Sequence, residues 1–290
     1  TQSSVSKRLR RLEEDVGAKL IERHKGTRAV TLTRAGLAFV GIANRWLEIQ
    51  EDVRTLHTVS EQLPLSIGSL ESQNMAFFTR MYLALQQHRP ILRLKFMQRH
   101  SAEMYSLVEK RTIHVGFTLL DLHNPSLSVR LCYQEPLVGL RPIAKGHAAG
   151  GANSDTELVI PVEDLDPEHE LYMEWSDSLR IWHDQYWDPA APGRLRSDSL
   201  NLMSFLLKEP EQWAIFPYSL AKKCAPKENL EIFRITPAPP DRMCYALTHK
   251  FSSDETLEAL AVFNGIFMPI LREELSSDSK IFEDALLGPL

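Results

Sequence analysis

Residues 1–17 read Thr1-Gln2-Ser3-Ser4-Val5-Ser6-Lys7-Arg8-Leu9-Arg10-Arg11-Leu12-Glu13-Glu14-Asp15-Val16-Gly17. Val5, Leu9, Leu12 and Val16 recur at the spacing of one helix face. Thr1 suits an N-cap, and Gly17 ends the run. On a wheel of about 100° per residue, Ser3, Ser6, Lys7 and Arg10 gather in an arc of about 100°, away from the apolar stripe. The spacing predicts a helix over 1–16 that buries one side and offers hydroxyls and cations on another. A solvated charged face has the same composition, so charge alone does not choose between them.

The flanking sequence does. Residues 19–23 read as a short amphipathic turn, and 24–32 as two short strands around Lys25-Gly26-Thr27-Arg28, a basic hairpin with Gly at its bend. A cationic helix followed by a basic hairpin is the pattern of a winged helix-turn-helix, whose recognition helix enters the major groove. Residues 1–34 hold nine Lys/Arg against four Asp/Glu, whereas the remainder carries a net −10, so the overall −5 conceals a basic end on an acidic body. Phosphate contacts supply the sequence-independent part of nucleic-acid affinity, and double-stranded DNA is the partner expected for that end alone.

Thr33 caps a predicted helix reaching about residue 60. Within it Phe39, Ile42, Trp46, Ile49, Val53 and Leu56 follow a 3-4-3-4-3 spacing, the seam of a two-stranded coiled coil. Such a helix extends about 42 Å, beyond the reach of a small domain, so the seam is expected to join two copies of the chain.

From Leu63 onward, strands at 65–69, 92–97 and 114–118 alternate with helices at 74–88 and 101–110, which predicts a mostly parallel sheet covered by helices. Further strands are expected at 129–143, 171–175, 194–197, 213–216, 230–235 and 243–248, with helices at 179–186, 200–207 and 256–274. That many strands imply two sheets and a hinge. Residues 146–154 read as a surface loop and 276–290 as a polar tail.

No apolar run nears the ~20 residues that span a bilayer, and residues 1–20 are too polar for a secretory leader. A cytoplasmic address without membrane attachment is expected. Cys132, Cys224 and Cys244 match neither a zinc spacing nor a disulfide framework, which fits a reducing compartment. Lys222, Lys223 and Lys227 would favour a thiolate at Cys224. The chain has no Gly-rich phosphate loop, zinc spacing or nucleophile motif, so no enzyme, cofactor or metal is expected. His183-Asp184 and Glu163-Asp164 have acid–base residue types without a distinctive spacing.

The segment Thr1 to Gly17 resembles the recognition-helix signature of LysR-type transcriptional regulators. Ala18-Lys19-Leu20-Ile21-Glu22-Arg23 resembles that family's approach to the wing, and Leu32-Thr33-Arg34-Ala35-Gly36 the start of its linker helix. The likeness continues in order through residues 64–69, Arg89-Pro90, Glu135-Pro136-Leu137-Val138 and Ala214-Ile215-Phe216-Pro217. Ser3 stands where Pro is common in the family, and the chain is expected to begin inside the helix-turn-helix.

The resemblance implies an α/β fold in three parts: a partial winged helix-turn-helix (1–32), a linker and dimerisation helix (33–61), and an effector-binding domain (62–290). That domain resembles type 2 periplasmic binding proteins, with lobe I at about 62–138 and 241–290 and lobe II at about 139–240. It implies that Gln2, Ser3, Ser6 and Lys7 approach base edges, with Lys25 and Arg28 on the wing. Gln suits adenine and Lys suits guanine. Arg8 and Arg10 are placed to anchor phosphates, while Arg11, beside Glu14 and Asp15, reads equally well as solvated.

Ligands of α/β sheets sit beyond the carboxyl ends of strands, where helix N-termini favour anions. The positions that qualify are Ser69, Ser72, His100, Ser101 and Thr118 in lobe I, and Ser176 and Ser199 in lobe II. Each is equally a helix-capping residue. Trp175, Trp182, Tyr186 and Trp187 fit a core first and an aromatic clasp second. The implied function is sequence-specific transcriptional regulation by a homodimer or homotetramer responding to a small, anionic effector. The alternative is a two-lobed small-molecule-binding protein with no DNA-binding role.

Overall fold

The structure, a computed structural model, describes residues 2–23, 30–56, 62–87, 91–143, 158–189 and 195–286. The chain divides into two compact units, residues 1–60 and 61–290.

The first unit contains α1 (Gln2–Val16), β1 (Ile21–Arg23), β2 (Val30–Leu32) and α2 (Arg34–Leu56). Gly17, at φ +71°, turns the chain out of α1, a left-handed conformation that is cheap only for glycine. The Glu13 carboxylate then accepts the N–H groups of Leu20 and Ile21 at 2.8 and 3.2 Å, tying the helix to the hairpin. The hairpin begins earlier than expected: Ile21 pairs with Leu32 and Arg23 with Val30, so residues 21–23 are strand rather than turn. Its tip, with Lys25 and Arg28, lies outside the described residues, as does Thr1. Thr33 Oγ1 accepts the Gly36 N–H at 2.9 Å, the expected cap of α2. Gly36 is required where it stands, because a Cβ there would lie 2.0 Å from the Leu20 carbonyl oxygen.

The second unit runs β3 (Leu63–Ser69), α3 (Glu71–Gln73), a π-turn (Asn74–Phe78), α4 (Thr79–Gln86), β4 (Leu92–Gln98), α5 (Ser101–Glu109), β5 (Val115–Thr118), β6 (Leu127–Glu135) and β7 (Leu137–Pro142). It continues with β8 (Val159–Pro161), β9 (Leu171–Tyr172), α6 (Asp177–His183), β10 (Leu195–Arg196), α7 (Leu200–Leu206), β11 (Ala214–Pro217), α8 (Tyr218–Glu228), β12 (Leu230–Thr236), β13 (Arg242–His249), α9 (Asp254–Glu274) and β14 (Lys280–Ile281). The predicted loop 146–154 lies outside the described residues.

Two main sheets form, in the orders β14-β6-β13-β5-β3-β4 and β11-β7-β12-β8. They are mixed, which corrects the expectation of a mostly parallel sheet. In the first, only the β3–β4 and β3–β5 pairings are parallel, because β13 enters antiparallel between β5 and β6. The stretch expected as strand over 129–143 divides at Pro136, which carries the chain from one sheet to the other.

In the first sheet, period-two alternation sends neighbouring residues to opposite faces. Cys244 and Ala246 of β13 pack with Phe263 and Phe267 of α9, whereas Leu247 packs with Met104 and Val108 of α5. Phe263 and Phe267 are stacked at 5.2 Å, and each such buried ring contributes about 1.5–3 kcal/mol of hydrophobic stabilisation. The second sheet has its own core, which includes Trp175, Trp182, Trp187 and Trp213. The tryptophans expected first as core are core, whereas Tyr186, expected with them, is 38% exposed.

Two further expectations are corrected. The supposed polar tail adds β14 to the edge of the first sheet, and Leu286 is fully buried there. Helix α8 was not expected at all. Cys224 on α8 is buried, and burial pushes its thiol pKa up more than nearby Lys227 pulls it down, so the lysines do not make it a thiolate. Among the described residues, no helix is long and apolar enough to cross a membrane.

Candidate functional site

The parallel strands β3, β4 and β5 end on the same side, and the segments leaving them form one wall of a cleft of about 760 Å³. That wall carries Leu70, Glu71 and Ser72 after β3, Gln98 at the end of β4 with Arg99 to Ser101 and Glu103 after it, and Leu119 after β5. The facing wall comes from the second lobe, with Tyr172 to Trp175 from the last residue of β9 onward and Arg196 to Asp198 and Leu200 from the last residue of β10 onward. Asn201 on α7 donates to Glu71 Oε1 at 3.2 Å, a contact that spans the two lobes.

Of the seven predicted positions, Ser72, His100 and Ser101 line the cleft, and the other four do not. Ser69 is buried and donates to Asn74 Oδ1 at 2.6 Å. Thr118 is fully buried, accepting the Leu120 N–H and donating to the Ser101 carbonyl. Ser176 caps α6 through the Leu179 N–H, and Ser199 caps α7 through the Leu202 N–H. For these four the local hydrogen bond explains the hydroxyl.

The cleft also holds residues that sequence reasoning missed. Arg99 lies 3.8 Å from Glu103. The Arg196 guanidinium sits 5.3 Å from the centre of the Tyr172 ring and donates to the Pro189 carbonyl. Burial, with Glu174 nearby, pushes the Tyr172 hydroxyl up to about 12, so it stays protonated and able to donate. Trp175 belongs both to the lobe II core and to the cleft wall, so the two readings of this residue meet in one side chain.

A fully buried ion pair lies at the strands linking the lobes, Arg242 Nη2 to Glu135 Oε1 at 2.6 Å. Nothing in the local spacing of either residue pointed to the other. A second buried pair joins His183 Nε2 to both Glu170 oxygens, at 2.9 and 3.0 Å. His183 thus takes Glu170 as its close partner, with Asp184 Oδ1 3.8 Å from Nδ1.

On α1, Lys7, Arg8 and Arg10 are exposed and Ser6 is half-buried. Ser6 and Arg10 border a hollow shared with Glu13, Lys19 and Ile21, so the predicted polar arc is turned partly toward the base of the hairpin. The side chains of Gln2 and Ser3 lie outside the described set. Along the α2 seam Phe39 is half-buried, while Ile42 and Trp46 are 50% and 71% exposed. The side chains of Ile49, Val53 and Leu56 are not described.

Comparison with known proteins places this architecture. The chain is 28% identical over 186 residues to the HTH-type transcriptional regulator CitR of Bacillus subtilis (strain 168), a match spanning 62% of each chain. It is 28% identical over 233 residues to the HTH-type transcriptional regulator HdfR of Yersinia pestis (strain Pestoides F), spanning 73% of each. Among solved structures, full-length CbnR complexed with its target DNA superposes with a TM-score of 0.67 at 18% identity, covering 94% of this chain and 90% of that one. Full-length BenM gives 0.55 at 18% identity, covering 95% and 90%. These two likenesses establish the fold. The family description "Bacterial regulatory helix-turn-helix protein, lysR family" matches residues 1–37. Since "LysR substrate binding domain" matches residues 60–263, most of the remaining length, the chain belongs to the LysR family of bacterial transcriptional regulators.

Proposed function

We propose that the protein binds double-stranded DNA sequence-specifically and regulates transcription in response to a small molecule held between the two lobes of residues 62–290. The observation that carries this reading is the cleft itself, walled by strand ends of both lobes in a chain whose other end matches a DNA-binding family. In this reading Gln2, Ser3, Ser6 and Lys7 meet base edges, Arg8 and Arg10 meet phosphates, and Lys25 and Arg28 extend the contact from the wing. The cleft offers the ligand Ser72, His100 and Ser101 on one wall and Tyr172, Trp175 and Arg196 on the other. An anionic group on the ligand would face the first of these walls. The chain works as a homodimer or homotetramer paired through α2, in the cytoplasm where its operator lies.

The test is a binding titration of the full-length protein on a dyad-symmetric duplex from the DNA beside its gene. Ser6→Ala or Lys7→Ala should cost about 1–3 kcal/mol at particular base positions. Arg10→Ala should weaken binding to all duplexes and flatten its salt dependence. A protein showing no preference among duplexes at any moderate salt would sink the regulator reading.

A further inference from the structure

Arg242 opens β13 and is fully buried. Its Nε and Nη2 donate to Glu135 Oε1 at 3.2 and 2.6 Å, and its Nη1 donates to Ser72 Oγ at 2.9 Å. The guanidinium lies 5.5 Å from the centre of the Trp175 ring. The second Glu135 oxygen accepts the Ser219 N–H at 3.0 Å. Ser72 and Trp175 each line the cleft, one from each wall, whereas Arg242 and Glu135 do not. The charge therefore stands just behind the cleft and touches one lining residue of each lobe.

Stability is a weak reason for this pair, because desolvating two charges can cost as much as their attraction returns, and apolar replacements often do as well. Burial is the largest single influence and lowers the Arg242 pKa, but Glu135, with Tyr133 and Cys244 beside it, raises it further in sum and the net shift is upward, so the cation persists. Ser72 is 4% exposed. Its oxygen is occupied as an acceptor from Arg242, and among the described residues no acceptor takes its hydroxyl hydrogen. A hydroxyl that accepts from a cation is polarised into a stronger donor. The pair is neutral as a whole, yet its positive end is turned to Ser72 and its negative end to the Ser219 N–H.

We propose that Arg242 sets the charge selectivity of the cleft without touching the ligand: by engaging the Ser72 oxygen it fixes that hydroxyl as a donor, reserved for an oxyanion of the ligand. A carboxylate, sulfonate or phosphate oxygen fits there, and an ammonium group is disfavoured, because it would bring a second positive charge against the oxygen that the guanidinium already holds at 2.9 Å. Arg242 is a positioning residue, and its role rests on the reading of the cleft as the effector site.

The test uses the full chain with acetate and its neutral isostere acetamide as probes, followed through the Trp175 indole N–H resonance, identified by its loss in Trp175→Phe. Wild-type protein is expected to bind acetate about tenfold more tightly than acetamide, a difference of about 1.4 kcal/mol. Ser72→Ala, which leaves the ion pair in place, should bring the ratio close to one. Arg242→Gln should do the same, and Arg242→Lys should recover part of it. Should Arg242→Gln fail to fold because Glu135 is left unpaired, the double variant Arg242→Gln/Glu135→Gln removes both charges together and is expected to show the same lost preference. A purely structural role would lower the melting temperature and leave the acetate-to-acetamide ratio intact. An unchanged ratio in the folded arginine variants overturns the proposal while the cleft reading stands. Equal binding of both probes by wild-type protein at Trp175 also overturns it. Probe binding that leaves Trp175 unperturbed and maps outside the cleft overturns the cleft reading and this proposal together.

Discussion

His114 Nδ1 accepts the Ser66 N–H at 3.1 Å, and the His114 N–H is returned to the Ser66 carbonyl and hydroxyl oxygens. The acceptor role requires a ring unprotonated at Nδ1. Burial lowers the His114 pKa, with Glu255 opposing weakly. A folded-state pKa below the unfolded one means that protons bind the unfolded chain better, so this contribution is complete above pH 6.5 and fades as pH falls through the folded value. We predict that the melting temperature drops between about pH 7 and pH 5, and that His114→Asn, which keeps an acceptor but cannot titrate, flattens this drop. A His114→Asn curve parallel to wild type would exclude the residue. Gly139 is a second single-residue constraint, since a Cβ there would lie 2.1 Å from the Phe233 ring on the neighbouring strand. Phe233 is buried, so Gly139→Ala is expected to cost about 1–3 kcal/mol by overpacking, read from denaturant unfolding. A variant as stable as wild type would show that the ring can move.

At the scale of elements, α2 presents Ile42 and Trp46 to solvent on one stripe. An apolar stripe of this kind on a helix is ordinarily covered, and the 3-4-3 spacing suits a second copy of the same helix. Trp46→Glu is expected to shift the mass at micromolar concentration to that of a monomer with the fold of residues 62–290 intact. A wild-type monomer under those conditions would refute pairing through α2. Helix α9 was legible because Leu260, Phe263, Phe267, Ile270 and Leu271 repeat at helical spacing and Ser253 caps it. Helix α8 escaped notice although Leu220, Ala221, Cys224 and Ala225 also share a face. Small side chains make a faint stripe, and Pro226 inside the helix reads as a stop. The edge strand β14 is two residues long, too short for any periodicity to announce.

Across the whole molecule, residues 61–290 hold separate cores on both sheets, while in the first unit Val5 and Val16 of the α1 stripe remain 66% and 40% exposed. A fragment of residues 62–290 is therefore expected to unfold cooperatively by calorimetry, and 1–60 alone to be marginal. A non-cooperative 62–290 would mean that its cores need more than they contain. The sequence by itself determined what rests on neighbours within about one helical turn or one strand: the α1 helix, the Thr33 cap, and most of the order of strands and helices. These follow from backbone propensity and side-chain period, which act locally. Only the tertiary structure decided which hydroxyls reach the cleft. Ser72 lines it and Ser69 does not, because side-chain direction at a strand end depends on register and on the packing beneath, and a shift of one residue reverses it. Sheet order likewise brought together Arg242 and Glu135, 107 residues apart, and Asn201 and Glu71, 130 apart. No local pattern encodes such pairs, since their proximity is a property of β13 lying beside β6 and of one lobe facing the other.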